Sequence, residues 1–116
     1  MQPPYKYKAI ITNVVDGDTV DARVDLGFTV SVDVRFRLYG IDTAEMNSVD
    51  EEQRELAKQA KQYLTNTILN KEVLIKTHKP DKFGRWLVEI FISEDYTINN
   101  LLLEKKLAKS YYGGTR

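Results

Sequence analysis

Four short polar patches interrupt otherwise apolar, strand-like sequence: Asp16-Gly17-Asp18-Thr19, Arg37, Asp42-Thr43-Ala44-Glu45 and Asp81-Lys82-Phe83-Gly84-Arg85. Each has an ordinary reading. Asp-Gly is among the strongest hairpin-turn signals. An arginine at a strand end commonly makes a surface ion pair, and two loop carboxylates are commonly solvated. The last patch reads as a charged turn with Gly84 at positive φ. Together the patches form a parts list for cleaving a phosphodiester. Asp18 offers a hard carboxylate oxygen of the kind that suits Ca²⁺ or Mg²⁺. A divalent cation neutralises a non-bridging phosphate oxygen and positions water. A carboxylate accepts the water's proton. Two arginines hold the extra charge of five-coordinate phosphorus through paired N–H···O bonds.

These patches must be positioned by the elements between them. Tyr5 to Val15 reads as a strand. Thr19 to Leu26 alternates, with Val20, Ala22, Val24 and Leu26 on one face and Asp21, Arg23 and Asp25 on the other. After a turn at Gly27, Phe28 to Leu38 alternates again. Three strands joined by short turns make an antiparallel meander. Tyr39 to Val49 has little period and reads as a loop, and Ser48-Val49-Asp50-Glu51 fits a capping box. Leu56, Ala60, Tyr63, Leu64, Thr67 and Ile68 then carry helical spacing to about Leu69. Val73 to Thr77 and Trp86 to Ile92 read as strands four and five, and Thr97 to Lys106 as a short helix. The order βββ-α-ββ-α fits a five-stranded, partly open OB-type barrel with helices, an α+β fold in one domain over residues 1–116.

Composition narrows the chemistry. With no cysteine and one histidine, a disulfide framework, a thiolate nucleophile and a cysteine- or multi-histidine metal site are excluded. Lys plus Arg equal Asp plus Glu, 17 each. That balance argues against holding nucleic acid by bulk positive charge, but not against a small site for one phosphate. No apolar run approaches the ~18 residues of a membrane span. The stretch Met1-Gln2-Pro3-Pro4 has no apolar h-region, so the chain as given reads as cytoplasmic, or extracellular if a leader has been removed.

The sequence resembles the staphylococcal nuclease (thermonuclease) family from about Lys6 to Tyr112. The resemblance lies in Val15-Asp16-Gly17-Asp18-Thr19-Val20, in Phe36-Arg37-Leu38-Tyr39-Gly40-Ile41-Asp42-Thr43-Ala44-Glu45 and in Asp81-Lys82-Phe83-Gly84-Arg85. It implies an OB-fold nuclease that hydrolyses DNA and RNA with one Ca²⁺ and leaves 3′-phosphate ends. Asp18 and Asp42 match the family's two calcium-ligating aspartates, and Thr43 the residue whose carbonyl completes the protein ligands. Arg37 and Arg85 match its phosphate-binding arginines, and Glu45 the glutamate assigned as general base. Asp16 matches an outer carboxylate near the metal. Lys82 matches a lysine near a neighbouring phosphate, and Tyr112 a tyrosine beside the nucleotide base. Single strands are the expected preference and a monomer the expected state, with no membrane partner.

Some positions depart from the family. Ala44 stands where proline is common. Phe83 replaces a tyrosine whose hydroxyl could reach phosphate, so it is expected to contact substrate without that bond. Lys106 replaces a glycine after the second helix and is expected to be strained if its backbone is left-handed. The sequence also stops soon after Tyr112, where many members continue into a further helix. These departures bear on base binding more than on catalysis. His78 is expected at the surface, Trp86 in the core, and the charges from Glu51 to Lys61 on a solvated helix face. The rival reading is a catalytically silent OB module that binds single strands or protein; such modules lose the ligand and base residues, and this chain keeps them. The four carboxylates Asp16, Asp18, Asp42 and Glu45 are expected to converge on one barrel end and repel one another without metal.

Overall fold

A computed structural model describes residues 6–80, 82 and 84–111. In chain order its elements are β1 (Lys6–Asp16), β2 (Thr19–Gly27), β3 (Val30–Leu38), β4 (Ile41–Thr43), α1 (Glu51–Ile68), β5 (Glu72–His78), β6 (Trp86–Ser93), β7 (Tyr96–Thr97), α2 (Ile98–Glu104) and β8 (Ala108–Ser110). The β1-β2-β3 meander is antiparallel throughout. β5 pairs with β1 and β6 with β5, both antiparallel. A parallel contact of Phe36, Arg37 and Leu38 with Trp86, Leu87 and Val88 then closes the ring. The five strands β1, β2, β3, β5 and β6 form the expected OB-type barrel.

Strand alternation fills the barrel. Val20, Ala22 and Val24 of β2, Phe36 and Leu38 of β3, and Val88 and Ile90 of β6 are all buried. α1 adds Ala57, Ala60, Leu64 and Ile68, the three- and four-residue spacing of one helix face. α2 adds Ile98 and Leu102. Each fully buried aliphatic side chain stabilises the fold by ~1.5–3 kcal/mol before entropy is counted.

Three local expectations are corrected. The α1 N-cap is Asp50, not Ser48: the Glu52 amide donates to the Asp50 carboxylate at 3.0 Å. The Ser48 hydroxyl accepts from the Asp50 amide at 3.2 Å and so shapes the chain entering the helix. The Tyr39–Val49 loop contains β4, which pairs with β8 in a separate ribbon, Asp42 opposite Lys109 and Thr43 opposite Ala108. Three-residue strands are too short to show alternation in sequence. β3 starts at Val30 rather than Phe28, because Phe28 and Thr29 take positive φ (56° and 62°) in the hairpin tip. Lys106 does adopt the left-handed conformation, φ 60°.

One buried polar residue ties α2 to the barrel. The Asn99 side-chain amide donates to the carbonyls of Tyr39 (2.9 Å) and Val88 (3.0 Å), and its oxygen accepts from the Ile90 amide (3.1 Å). Removing it takes a partner from the Ile90 amide and the Tyr39 carbonyl, while the Val88 carbonyl keeps the Tyr39 amide at 2.8 Å, in an interior where each unsatisfied group costs ~1–3 kcal/mol. Asn99→Ala is expected to lower unfolding stability by about 2–4 kcal/mol, read as a reduced urea midpoint. An unchanged midpoint would show that water replaces the side chain there.

Candidate active site

The site lies where β2 begins and β3 ends. The Leu38 amide donates to the Asp18 carbonyl at 2.8 Å, which fixes these two ends together. Arg37 follows inward-facing Phe36, so alternation turns its side chain away from the barrel interior. It is nonetheless buried, because the β4–β8 ribbon covers it. Its Nη2 lies 3.2 Å from Asp42 Oδ1 and 3.6 Å from Asp18 Oδ2. Its Nη1 donates to the Leu38 carbonyl at 3.4 Å, and the guanidinium sits over the Tyr111 ring at 5.4 Å.

Asp18 is bound from several sides. One of its oxygens accepts from the Thr43 amide at 3.3 Å, and the other from the Thr19 hydroxyl at 3.1 Å. The Asp18 amide in turn donates to Asp16 at 3.2 Å. Asp16, Asp18, Arg37, Asp42 and Thr43 therefore form one cluster. Glu45 lies two residues beyond Thr43 and is exposed. Arg85 is exposed and immediately precedes Trp86, the residue in register with Phe36. Because β3 and β6 run parallel, with Arg37 opposite Leu87, Arg85 lies on the other side of the Phe36–Trp86 pair from Arg37. Lys82 is exposed in the turn before it. Phe83 and Tyr112 lie outside the described residues.

Gly17 shows why this turn carries glycine. Its φ is not among the positive ones. The reason is space: a Cβ at Gly17 would lie 2.7 Å from the Ala60 Cβ of α1 and 3.1 Å from the Thr43 side chain. Glycine lets the Asp16–Thr19 turn press onto the helix and the β4 strand together. Sequence reading singled out neither this contact nor Tyr111. The signal in the sequence is the paired tyrosine: the resemblance points to Tyr112, and the ring that meets Arg37 is that of Tyr111.

The electrostatics divide the acids. Burial and then the neighbouring Asp18 push the Asp16 carboxyl up to about 6. At Asp18 burial also opposes charge. Hydrogen bonding with Asp16, the Arg37 guanidinium, the Thr43 amide and the Thr19 hydroxyl outweigh it and hold the carboxyl below its ordinary range. The expectation of mutual repulsion therefore holds for Asp16 and fails for Asp18, which Arg37 stabilises. Among the described residues no three His, Asp or Glu side chains cluster as a metal cage. The chemistry of the donors is nonetheless that of a hard-cation site: two carboxylates beside one guanidinium nitrogen, with the Thr43 backbone next to them.

Two further expectations are corrected. His78 is half-buried: its ring stacks on Tyr39 at 3.8 Å, and Nε2 lies 3.0 Å from Glu89. His78 pairs with Leu87, so Glu89, two residues on, shares its face. Trp86 is 47% exposed rather than core. It shares the inward face of Val88 and Ile90 but sits at the first residue of β6, where the barrel opens.

Residues 35–115 match the staphylococcal nuclease homologue family. The chain belongs to that family. It is also 30% identical over 59 residues to the probable endonuclease lcl3 of Aspergillus clavatus. That match covers 51% of this chain and 20% of the fungal protein, so the chain spans about one fifth of that relative. Among the described residues no helix is long and apolar enough to cross a membrane.

The raised Asp16 carboxyl gives a signed pH dependence. With a folded value of about 6 against an ordinary 3.8, its ionisation opposes folding fully above about pH 6, and that opposition is gone below 3.8. Asp16→Asn should raise the melting temperature in metal-free buffer at pH 7. Solvent screening of a half-exposed group limits the gain to about 1 kcal/mol, or ~4 °C. The gain should vanish by about pH 4. Parallel melts of both proteins across this range test it; a pH-independent difference would trace the effect to packing.

Proposed function

We propose that this chain is a calcium-dependent nuclease that hydrolyses phosphodiester bonds of DNA and RNA, leaving 3′-phosphate ends. The observation that carries the reading is the buried Asp18–Arg37–Asp42 cluster at one barrel end, in a member of a nuclease family. Asp18, Asp42 and the Thr43 carbonyl would hold Ca²⁺, with Asp16 behind them. When bound, the ion supplies positive charge to a non-bridging phosphate oxygen and lowers the energy of attack by water.

The chain's own residues do the rest. Arg37, fixed by its carboxylate partners and the Tyr111 ring, presents a pre-set planar fork to the phosphate. Arg85, on the exposed side, closes on it from the neighbouring strand. Glu45 takes the proton of the attacking water as the water oxygen bonds to phosphorus and the bond from phosphorus to the 5′ oxygen breaks. By the family resemblance, Lys82 and Phe83 would serve the neighbouring phosphate and Tyr112 the base. The probable-endonuclease name of the fungal relative supports the reaction class.

Single-stranded DNA and RNA digested with millimolar Ca²⁺, and in parallel with excess chelator, test the reading. Cleavage is expected in the first and not in the second, with 3′-phosphate on the products. Equal cleavage in both would exclude the metal, and binding without any cleavage would favour the silent module. A separate measurement concerns Arg85. Lysine keeps the charge but lacks the fork, so Arg85→Lys should lose roughly 10²–10³-fold in turnover. Near-parental turnover would make Arg85 a bystander.

A further inference from the structure

β3 is paired along its whole length on one side only. β2 runs beside it from Val30 to Arg37, whereas β6 meets it at Phe36, Arg37 and Leu38 alone. The Leu38 amide bonds the Asp18 carbonyl, so alternation turns the backbone groups of even-numbered β3 residues to β2 and those of odd-numbered ones away. Ser31, Asp33 and Arg35 therefore present N–H and C=O groups at an open edge, with no strand against them among the described residues. Such an edge is a template for another strand, and proteins commonly guard it with Lys or Pro. β3 contains neither. The charges along its open stretch are taken up inside the hairpin, Asp33 by Arg23 at 3.0 Å and Arg35 by Asp21 at 2.8 Å.

Three observations single out a second copy of this chain as the partner. The first is self-complementarity. Antiparallel pairing about a two-fold axis at Val32 sets Ser31 opposite the partner's Asp33, and the pair exchanges both N–H···O bonds. No like charges meet, and a hydroxyl stands beside each carboxylate. Moving the axis to Asp33 would set that carboxylate against its own copy and drive the added strand into the lane where Trp86 begins β6. The second is the apolar face. Val30 and Val32 are 52% and 41% exposed, and this register lays Val30 against the partner's Val34 and Val32 against the partner's Val32. The third is the hairpin tip. Phe28 is 98% exposed and holds a left-handed backbone, φ 56°, that asparagine or glycine adopts at far less cost. Neither the turn nor the core calls for phenylalanine there. In the paired form each tip points to the other copy's barrel mouth, where Trp86 is half-exposed. The net charge of zero leaves no overall repulsion between copies.

We infer that the open edge of β3 pairs with the same edge of a second copy, giving a two-fold dimer in which the two β2–β3 hairpins form one continuous antiparallel sheet and each Phe28 packs at the mouth of the other barrel. This replaces the monomer expected from sequence. Pairing ends before Phe36, so Arg37 and its carboxylates lie outside it, and the inference does not rest on the nuclease reading. A two-fold contact of this kind uses the same patch on both copies and closes on itself.

Analytical sedimentation over a wide range of protein concentration, with tryptophan emission read on the same samples, tests it. A reversible dimer is expected, and Trp86, the sole tryptophan, should shift to shorter wavelength as the dimer forms. Ser31→Pro removes an N–H that faces the open edge and no bond to β2, so it should stay monomeric throughout. Phe28→Asn suits the left-handed turn and should weaken the dimer roughly tenfold or more, while melting no lower than the parent where both are monomers. Should Ser31→Pro fail to fold, Phe28→Asn decides alone. A parent chain that is monomeric at every concentration would overturn the inference. So would a dimer that the folded variants leave unweakened, since its contact then lies elsewhere, and so would growth past the dimer into an open series. Digestion of nucleic acid with Ca²⁺ is a separate readout, so the nuclease reading stands or falls independently of these outcomes.

Discussion

The site depends on one guanidinium. Arg37 leaves β3 on the outer face of the barrel, yet it is 6% exposed, in a position where an unpaired charge would be costly. Asp18 from the start of β2 and Asp42 from β4 both lie against its Nη2. Three chain segments therefore meet at one charge. Taking away the guanidinium would leave two largely buried carboxylates facing each other without a cation, a loss of the kind that typically costs about 3–5 kcal/mol. Asp18 sits below the ordinary carboxylate range because its hydrogen bond with Asp16, the Arg37 guanidinium and the Thr43 amide together outweigh burial, while burial and the neighbouring Asp18 push Asp16 above it.

Other contacts exist to bring these segments into reach. Gly17 allows the turn holding Asp16 and Asp18 to pack against Ala60 and Thr43. The Thr43 amide then reaches Asp18, so β4 is tied to the turn by a backbone bond as well as by charge. The β4–β8 ribbon presents Asp42 from one strand, and Tyr111 follows the other. Asn99 holds Tyr39 and Val88 to α2, steadying the strand ends from which β4 departs. Apolar burial builds the barrel, but these polar contacts set its active end.

What sequence disclosed followed from period and from distinctive residue types. Long alternations in β2, β3 and β6 and the helical spacing of α1 gave the barrel and its order. Asp16, Asp18, Arg37, Asp42 and Thr43 stood out as polar groups at strand ends, and they come together. What stayed hidden lacks such a signal. β4 and β8 are three residues each, too short for an alternating pattern to show. Gly17 reads as a turn glycine, although its role is steric. Trp86 keeps the alternation of a core residue, and only its place at the barrel mouth exposes it. His78 looks like a lone strand-end histidine until β5–β6 pairing sets Glu89 on its face and the chain after β3 brings Tyr39 against its ring.

The same guanidinium has a second task in the proposed reaction, and its chemistry permits both. It has five N–H donors in a fixed plane. The bonds to Asp42 and to the Leu38 carbonyl use one at Nη2 and one at Nη1, leaving donors for a phosphate. A lysine could not divide itself this way, since its ammonium is a single point charge on a flexible stem. Held by Asp42 and Leu38 and set against the Tyr111 ring, the arginine also has few orientations to lose when phosphate arrives, so little of the binding energy goes into ordering it. The interaction that fastens the active end of the barrel is thus the one that presets its proposed phosphate ligand, and a substitution that loosens the clamp should blur the geometry of binding before it unfolds the protein.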